Sequence, residues 1–263
     1  MVDKRQYYYG YNVANESENK VSSRANTLLK NKGIRGLFEG ALRYVKVETK
    51  YGIIKLNLNL IHRYFKTSIP GRDRVRYHTA RIGIDGERVI EIPLVQSFLS
   101  KGKSVFELGN VLNNYHKFDH VVVDKYEVND GVINVDFLDF KTESEFDVAV
   151  SISTIEHIGF DEEDKRIGKA IEAINKLRGL AKDDGLVVIT LPLGYNPEID
   201  QFVKEDKTYV KHFFKRISRW NTWKETNLDD ALQRKYGEEY HSANSVVFLM
   251  SCLKNLSIRG VTA

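Results

Sequence analysis

Val105-Phe106-Glu107-Leu108-Gly109 is a short apolar run that carries one acid, ends on a glycine and gives way at once to the polar stretch Asn110 to Asn114. An apolar segment of this length bounded by turn residues reads as a buried strand. A glycine at its exit lets the backbone come close to a ligand, and an acid two places earlier can receive a ligand ammonium or backbone amides. Ligands of open parallel sheets bind beyond the carboxyl ends of strands, at the crossover where strand order reverses. The pentapeptide alone is weakly specific, so its neighbours decide the reading.

From Lys103 onward, strand, turn and helix alternate. Strands are expected over Ser104 to Leu108, Val121 to Asp124, Val132 to Val135, Phe146 to Ser151 and Leu186 to Leu191, with a helix over Asp164 to Leu180. Two late strands are expected over Val210 to Ile217 and Ser245 to Leu253, and a short helix over Ile92 to Leu99 leads in, with Pro93 in its first turn. Such alternation implies a parallel sheet covered by helices. Asp124, at the end of the second strand, suits a ribose diol. Asp136, after the third, suits an exocyclic adenine amine, with Phe137 placed to stack on or flank the base.

In this order the segments resemble the class I S-adenosylmethionine-dependent methyltransferases. The shared features are E-x-G after the first strand, an acid after the second and third, Phe146-Asp147 running through Ser151 to Glu156-His157 at the fourth, and Asp184-Gly185 to Pro192 at the fifth. The resemblance covers roughly residues 100 to 200, and reaches 255 if the two late strands form that fold's sixth and seventh. It implies a Rossmann-like α/β fold, with a seven-stranded, mostly parallel sheet and an antiparallel last strand, and S-adenosylmethionine as cofactor. Glu107, Gly109 and Asn110 would line the methionine portion, Asp124 the ribose and Asp136 with Phe137 the adenine; Ser153, at the fourth strand's exit, would also touch the cofactor. The phrases GNVLNNY, VDKYE, SISTIEHIG and LPLGYNP look like a branch associated with sugar or cell-surface polysaccharide genes, which implies O-methylation of a saccharide or other polar metabolite. One departure stands out. The family carries two or three glycines in its loop, whereas Gly109 is followed by Asn110, Val111, Leu112, Asn113 and Asn114. Either asparagine amides replace backbone contacts, or the loop is degenerate and the chain is a non-catalytic binding protein. A nicotinamide dehydrogenase is disfavoured, because G-x-G-x-x-G is absent.

For the chemistry, His157 is the candidate base, since it lies just past the fourth strand and an imidazole titrates near neutral pH; packing beside the site is the alternative. The run Asp161 to Asp164 reads as a solvated helix N-terminus favoured by the helix dipole, and no metal site is expected. Trp220, Trp223, Tyr195 and Tyr209 form either an acceptor-binding wall or core packing. His78, Arg88 and Glu91 either close over the cofactor or are salt-bridged surface residues.

Charge separates residues 1–95 from residues 96–263. Residues 20 to 81 hold fifteen Lys or Arg against Glu39, Glu48 and Asp73, while the whole chain carries only +4. Residues 1 to 22 read as an irregular arm, and Leu28, Ile34, Leu37, Phe38, Ala41 and Leu42 mark an amphipathic helix. A β-hairpin is expected from Val45 to Leu60 around Lys50-Tyr51-Gly52, then a strand with Arg72, Arg74 and Arg76 on one face. This basic module suits an anionic small-molecule or glycan acceptor, an acidic membrane surface, nucleic acid, or simply solvent; no nucleic-acid motif accompanies it, which disfavours that partner. With 42% hydrophobic and 29% charged residues the chain has ordinary globular composition. The single cysteine, Cys252, excludes an internal disulfide, and the opening MVDKRQYYYGYN lacks the apolar segment of a signal peptide, so a cytoplasmic location is expected.

Overall fold

The structure, a computed structural model, describes residues 17–252, so most of the predicted arm and Leu253 lie outside the described residues. Helix α1 spans Ser17–Leu56, and strands β1 (Tyr64–Lys66) and β2 (Arg74–Arg76) follow. Helix α2 is Arg88–Gln96. The sheet then takes β3 (Val105–Leu108), β4 (Val121–Val123), β5 (Val132–Ile133), β6 (Phe146–Ile152) and β7 (Ala181–Pro192), with helix α3 (Lys169–Gly179) between the last two. Helix α4 (Pro197–Glu205), β8 (Val210–Arg216), β9 (Trp223–Thr226), helix α5 (Leu228–Leu232) and β10 (Ser245–Cys252) complete it.

The sheet order is β5-β4-β3-β6-β7-β10-β8-β9. Strands β5 through β7 pair in parallel, and β10 is inserted antiparallel between β7 and β8. The expected reversed last strand is therefore present, but the sheet has eight strands, not seven. The extra one is β9, antiparallel to β8, which the Trp223 indole anchors from inside the core. Strand order reverses between β3 and β6, so the crossover lies at the exits of those two strands.

Alternation along the strands feeds two faces. One face, with Phe106, Ala149 and Val187, packs on Ala173, Ile174 and Leu177 of α3 and on Ile199 and Val203 of α4. The other, with Val105, Val148, Val150 and Val188, packs on Ile54, Phe65, Val89, Ile90 and Leu94. The boundary drawn at residue 95 thus does not separate two cores: residues before it cover one face of the sheet.

The expected hairpin is replaced by helix. Helix α1 runs through to Leu56 and widens into a π turn over Asn57–Ile61. Ile54 and Leu58, four residues apart, both reach the core, a spacing that a helix satisfies as well as alternation does. In the following hairpin Phe65 pairs with Val75 and both point inward, while Arg74 and Arg76 share the outer face. Arg72 precedes the strand and is held by the Ser97 carbonyl at 2.7 Å, so two guanidinium groups, not three, line that face. Pro93 sits inside α2, not in its first turn. The Val89 carbonyl it leaves unbonded takes the His78 amide at 2.9 Å instead. Among the described residues no helix is long and apolar enough to cross a membrane.

Candidate active site

At the exit of β3, Gly109 turns with φ +88°, and a Cβ there would lie 2.3 Å from Thr154 Oγ1. Only glycine fits, because the backbone is left-handed and the β6 exit presses against it. Glu107 is fully buried behind it. Its Oε1 accepts the amides of Val111 (3.0 Å) and Leu112 (2.8 Å), and its Oε2 meets His120 Nε2 at 2.8 Å. Burial raises the Glu107 carboxyl above its ordinary range against these bonds. For His120 burial acts downward, but its bonds to Glu107 and the Phe118 carbonyl, with the nearby Glu107 and Asp119 charges, together outweigh it and the imidazole is raised. The asparagines complete the loop among themselves. Asn110 Nδ2 donates to Glu127 at 2.7 Å, Asn113 Nδ2 to Asn110 Oδ1 at 2.6 Å and Asn114 Nδ2 to the Asn110 carbonyl at 2.9 Å. Side-chain amides here brace the turn from within.

Asp124 follows β4 beside this loop. Its Oδ1 accepts the amides of Tyr126 and Glu127, both at 2.8 Å, and its Oδ2 takes only a long 3.3 Å bond from the Asn110 amide. Asp136 stands beyond β5, at the same rim, but its Oδ2 is held by Lys125 at 2.9 Å and Lys169 at 2.8 Å. These ammoniums outweigh burial and hold the carboxyl well below its usual range. Glu162 closes the network through the same two lysines. Phe137 requires a correction: its ring is 3% exposed and packs on Phe106 in the core, so it presents no face at the rim.

The rim therefore joins Gly109, Asn110 and Asp124 at the crossover, with Glu107 buried behind them, both its oxygens engaged, and Asp136 one strand further out. In chain order, the seven strands up to β8 and including β10 run 3-2-1-4-5-7-6 with the last reversed. The fold is that of the class I methyltransferases.

No family model matches the chain, and no curated protein matches it. Among solved structures it is similar to a S-adenosylmethionine-dependent methyltransferase of Thermotoga maritima, a possible histamine N-methyltransferase (13% identity, 62% of this chain and 88% of that one, TM-score 0.35). It is also similar to the glycopeptide N-methyltransferase MtfA (10%, 60% and 86%, 0.31). Coclaurine N-methyltransferase bound to N-methylheliamine and SAH is another (13%, 89% and 94%, 0.39).

On the other side of this methyltransferase-type crossover, Ser153 adopts φ +39° and its hydroxyl donates to Glu91 Oε1 at 2.5 Å. Arg88 Nη1 holds the other Glu91 oxygen at 2.5 Å. Glu91 is fully buried, so this pair is no surface salt bridge, and α2 reaches the strand exits as one of the two readings required. His78 stays apart, edge-on to Tyr115, with its Nε2 buried and without a partner. Burial and the neighbouring Glu91 also raise Glu87.

Glu156 completes the cluster. It is 1% exposed, and its Oε2 is buried without a hydrogen-bond partner. Burial pushes its carboxyl up to about 7, with Glu91 adding to the shift and His157 and Arg88 opposing it. His157 contacts it through Nε2, 3.5 Å from Glu156 Oε1, while Nδ1 meets Asp161 at 2.5 Å. Tyr195 donates to the same Asp161 and lies edge-on to His157, its centroid 5.0 Å away.

Two expectations fail here. The run Asp161 to Asp164 is not a helix N-terminus, since α3 begins at Lys169; Asp161 serves His157 and Glu162 the lysine network. Of the four aromatics considered for an acceptor wall, only Tyr195 stands beside His157. Trp223 and Tyr209 are core residues, and Trp220 lies by α1, its carbonyl taking Asn57 Nδ2. Sequence reasoning missed Glu156 and Glu87. The available signal was an acid next to the candidate base, and charged residues set into the apolar run of α2. Among the described residues no cluster of three metal-ligating side chains forms.

Proposed function

We propose that the chain is an S-adenosylmethionine-dependent methyltransferase acting on an oxygen of a saccharide or other polar metabolite. The carrying observation is the juxtaposition, at one crossover, of the Gly109 turn, the lightly engaged Asp124 Oδ2 and the buried acids Glu87, Glu91 and Glu156 around Arg88. That donor set fits the cofactor: a carboxylate for a ribose diol, a guanidinium for an α-carboxylate, and buried carboxyl groups that would accept from an ammonium and be drawn to ionise beside a sulfonium.

When bound, S-adenosylmethionine supplies an electrophilic methyl group on a sulfonium, a good leaving group. Asp124 would orient the ribose and Arg88 the carboxylate. His157 and Glu156 would then hold the acceptor hydroxyl and remove its proton, which is the remaining demand of an in-line displacement. Asp161 fixes the imidazole through Nδ1, which turns Nε2 toward Glu156. The Tyr195 ring, packed edge-on among His157, Phe160 and Tyr236, would form part of the wall against which a sugar ring is held.

The test is transfer of labelled methyl from S-adenosylmethionine to a panel of saccharides and amines. Label on a saccharide hydroxyl supports the reading, label on an amine alone corrects the acceptor, and label on neither contradicts it.

A further inference from the structure

Helix α1 carries an apolar stripe that the fold leaves uncovered. Ile34, Phe38, Leu42, Val45 and Leu56 are 81%, 71%, 62%, 58% and 57% exposed. Steps of three, four and eleven residues return to one side of an α-helix, so these side chains share one face; its continuous apolar part, Ile34 to Val45, is about 16 Å long at 1.5 Å per residue, and Leu56 rejoins the face beyond Gly52. The domain holds the helix by its opposite side, where Gly36 and Ile54 are buried. The stripe therefore faces away from the side by which the domain holds the helix.

Cations flank it on both sides. Helical spacing puts Arg35 and Lys46 along one edge and Lys30 and Lys55 along the other, all exposed, whereas Arg43 and Lys50 fall toward the side of Gly36 and Ile54, where Lys50 pairs with Asp85. The acids in this part of the helix are already matched, Glu39 by Arg35 and Glu48 by Arg81. A second copy laid on the stripe would therefore offer the flanking cations no free acid. A coiled-coil seam is also interrupted, since Glu48, Gly52 and Lys55 occupy the repeats after Val45. A surface that is apolar in its depth and anionic at its level complements both features, and that is the headgroup region of an acidic bilayer.

We infer that the exposed face of α1 between Ile34 and Leu56 is a peripheral membrane anchor that lies in the plane of an anionic phospholipid surface. The apolar stripe enters the acyl boundary and the flanking cations meet the phosphates. The anchor holds the sheet, with its carboxyl-end site, against the bilayer.

The experiment is co-sedimentation of the full chain with vesicles of phosphatidylglycerol in phosphatidylcholine and with phosphatidylcholine alone, at low and high salt. Binding is expected to the anionic vesicles only and to fall with salt. The double variant Phe38→Asp/Val45→Asp should abolish it, and Lys46→Glu and Lys55→Glu should each weaken it about fivefold or more per cation. Because these side chains are exposed, an unchanged circular dichroism melt shows that the variants fold. Failure to bind anionic vesicles overturns the inference, as does binding that the double variant retains. So does a dimer in sedimentation velocity that Phe38→Asp dissociates while vesicles stay unbound.

Discussion

Glu107 and His120 form a buried pair at 2.8 Å, with side chains 0% and 1% exposed, and the pair sets the loop at the head of β3. The Phe118 carbonyl can only accept, so His120 Nδ1 carries a proton and Nε2 faces the Glu107 carboxyl across a shared one. The other Glu107 oxygen collects the Val111 and Leu112 amides. A loop poor in glycine is thus pinned by an acid behind it and braced by asparagines within it.

Removing His120 leaves that carboxylate buried with two amides for partners. His120→Ala should cost about 3 to 5 kcal/mol, the usual loss when one member of a buried pair is deleted. Denaturant unfolding measures it, and a loss below about 1 kcal/mol would place the pair among exposed ones. The pH dependence follows from the raised imidazole. Its contribution is complete below the ordinary value of 6.5 and is lost as pH rises through the higher folded value, when carboxylate and imidazole lone pairs are left facing each other. Wild type should lose stability as pH rises above 6.5 through the raised folded value, and His120→Ala should lack that limb.

Lys169 bridges Asp136 and Glu162 with little exposure. Both carboxyls are held below their ordinary values by the two lysines against the opposing effect of burial, so their contribution is present above those values and lost as pH falls through the depressed ones. Lys169→Met should cost on the order of 3 kcal/mol at neutral pH. Its stability should then converge on that of wild type in acid, and a difference that persists at the lowest pH would assign the loss to packing.

Gly109→Ala meets a left-handed backbone and the Thr154 side chain at once. The conformational cost alone is about 1 to 2 kcal/mol, and the contact adds to it. Trimming the neighbour in Gly109→Ala/Thr154→Ser removes part of the clash but none of the backbone strain, so recovery should be partial in a thermal melt. Full recovery would show that the turn does not need glycine's conformational freedom.

Glu156, with a carboxyl pushed up to about 7, becomes a base as it ionises. The rate should rise with pH through that value, and Glu156→Gln should flatten the limb and lower the rate far more than cofactor affinity. Stability should move the opposite way. A raised folded value means that ionising the buried acid destabilises the fold as pH rises from the ordinary 4.5 through about 7, so Glu156→Gln should be the more stable protein above neutrality. A variant that is less stable at every pH would make Glu156 a structural residue.

The five parallel strands were legible because each is an apolar run bounded by turn residues, and Glu107, Gly109, Asn110 and Asp124 fall together because they sit at strand exits. Strand ends were less so: Asp124 lies outside its strand, since its side chain caps the Tyr126 and Glu127 amides. Strand β9, Trp-Lys-Glu-Thr, carries no apolar run and exists only because β8 offers an edge to it. Residues 45 to 60 alternate as a hairpin would, and only the core that receives Ile54 and Leu58 selects the helix. Phe137 was misplaced because which way a residue turns after a strand depends on the far wall, here Phe106 and Phe146. Neither the burial of Glu91 nor the orphan oxygen of Glu156 leaves a local mark, since both arise from α2 closing on the exit of β6.

Titration calorimetry with S-adenosylhomocysteine bears most directly on the proposal that the β3–β4 rim holds an adenosyl group. One molecule should bind per chain, and Asp124→Ala should weaken it by on the order of tenfold or more while the melt stays unchanged. Absence of heat at millimolar ligand, or affinity indifferent to Asp124, would contradict it.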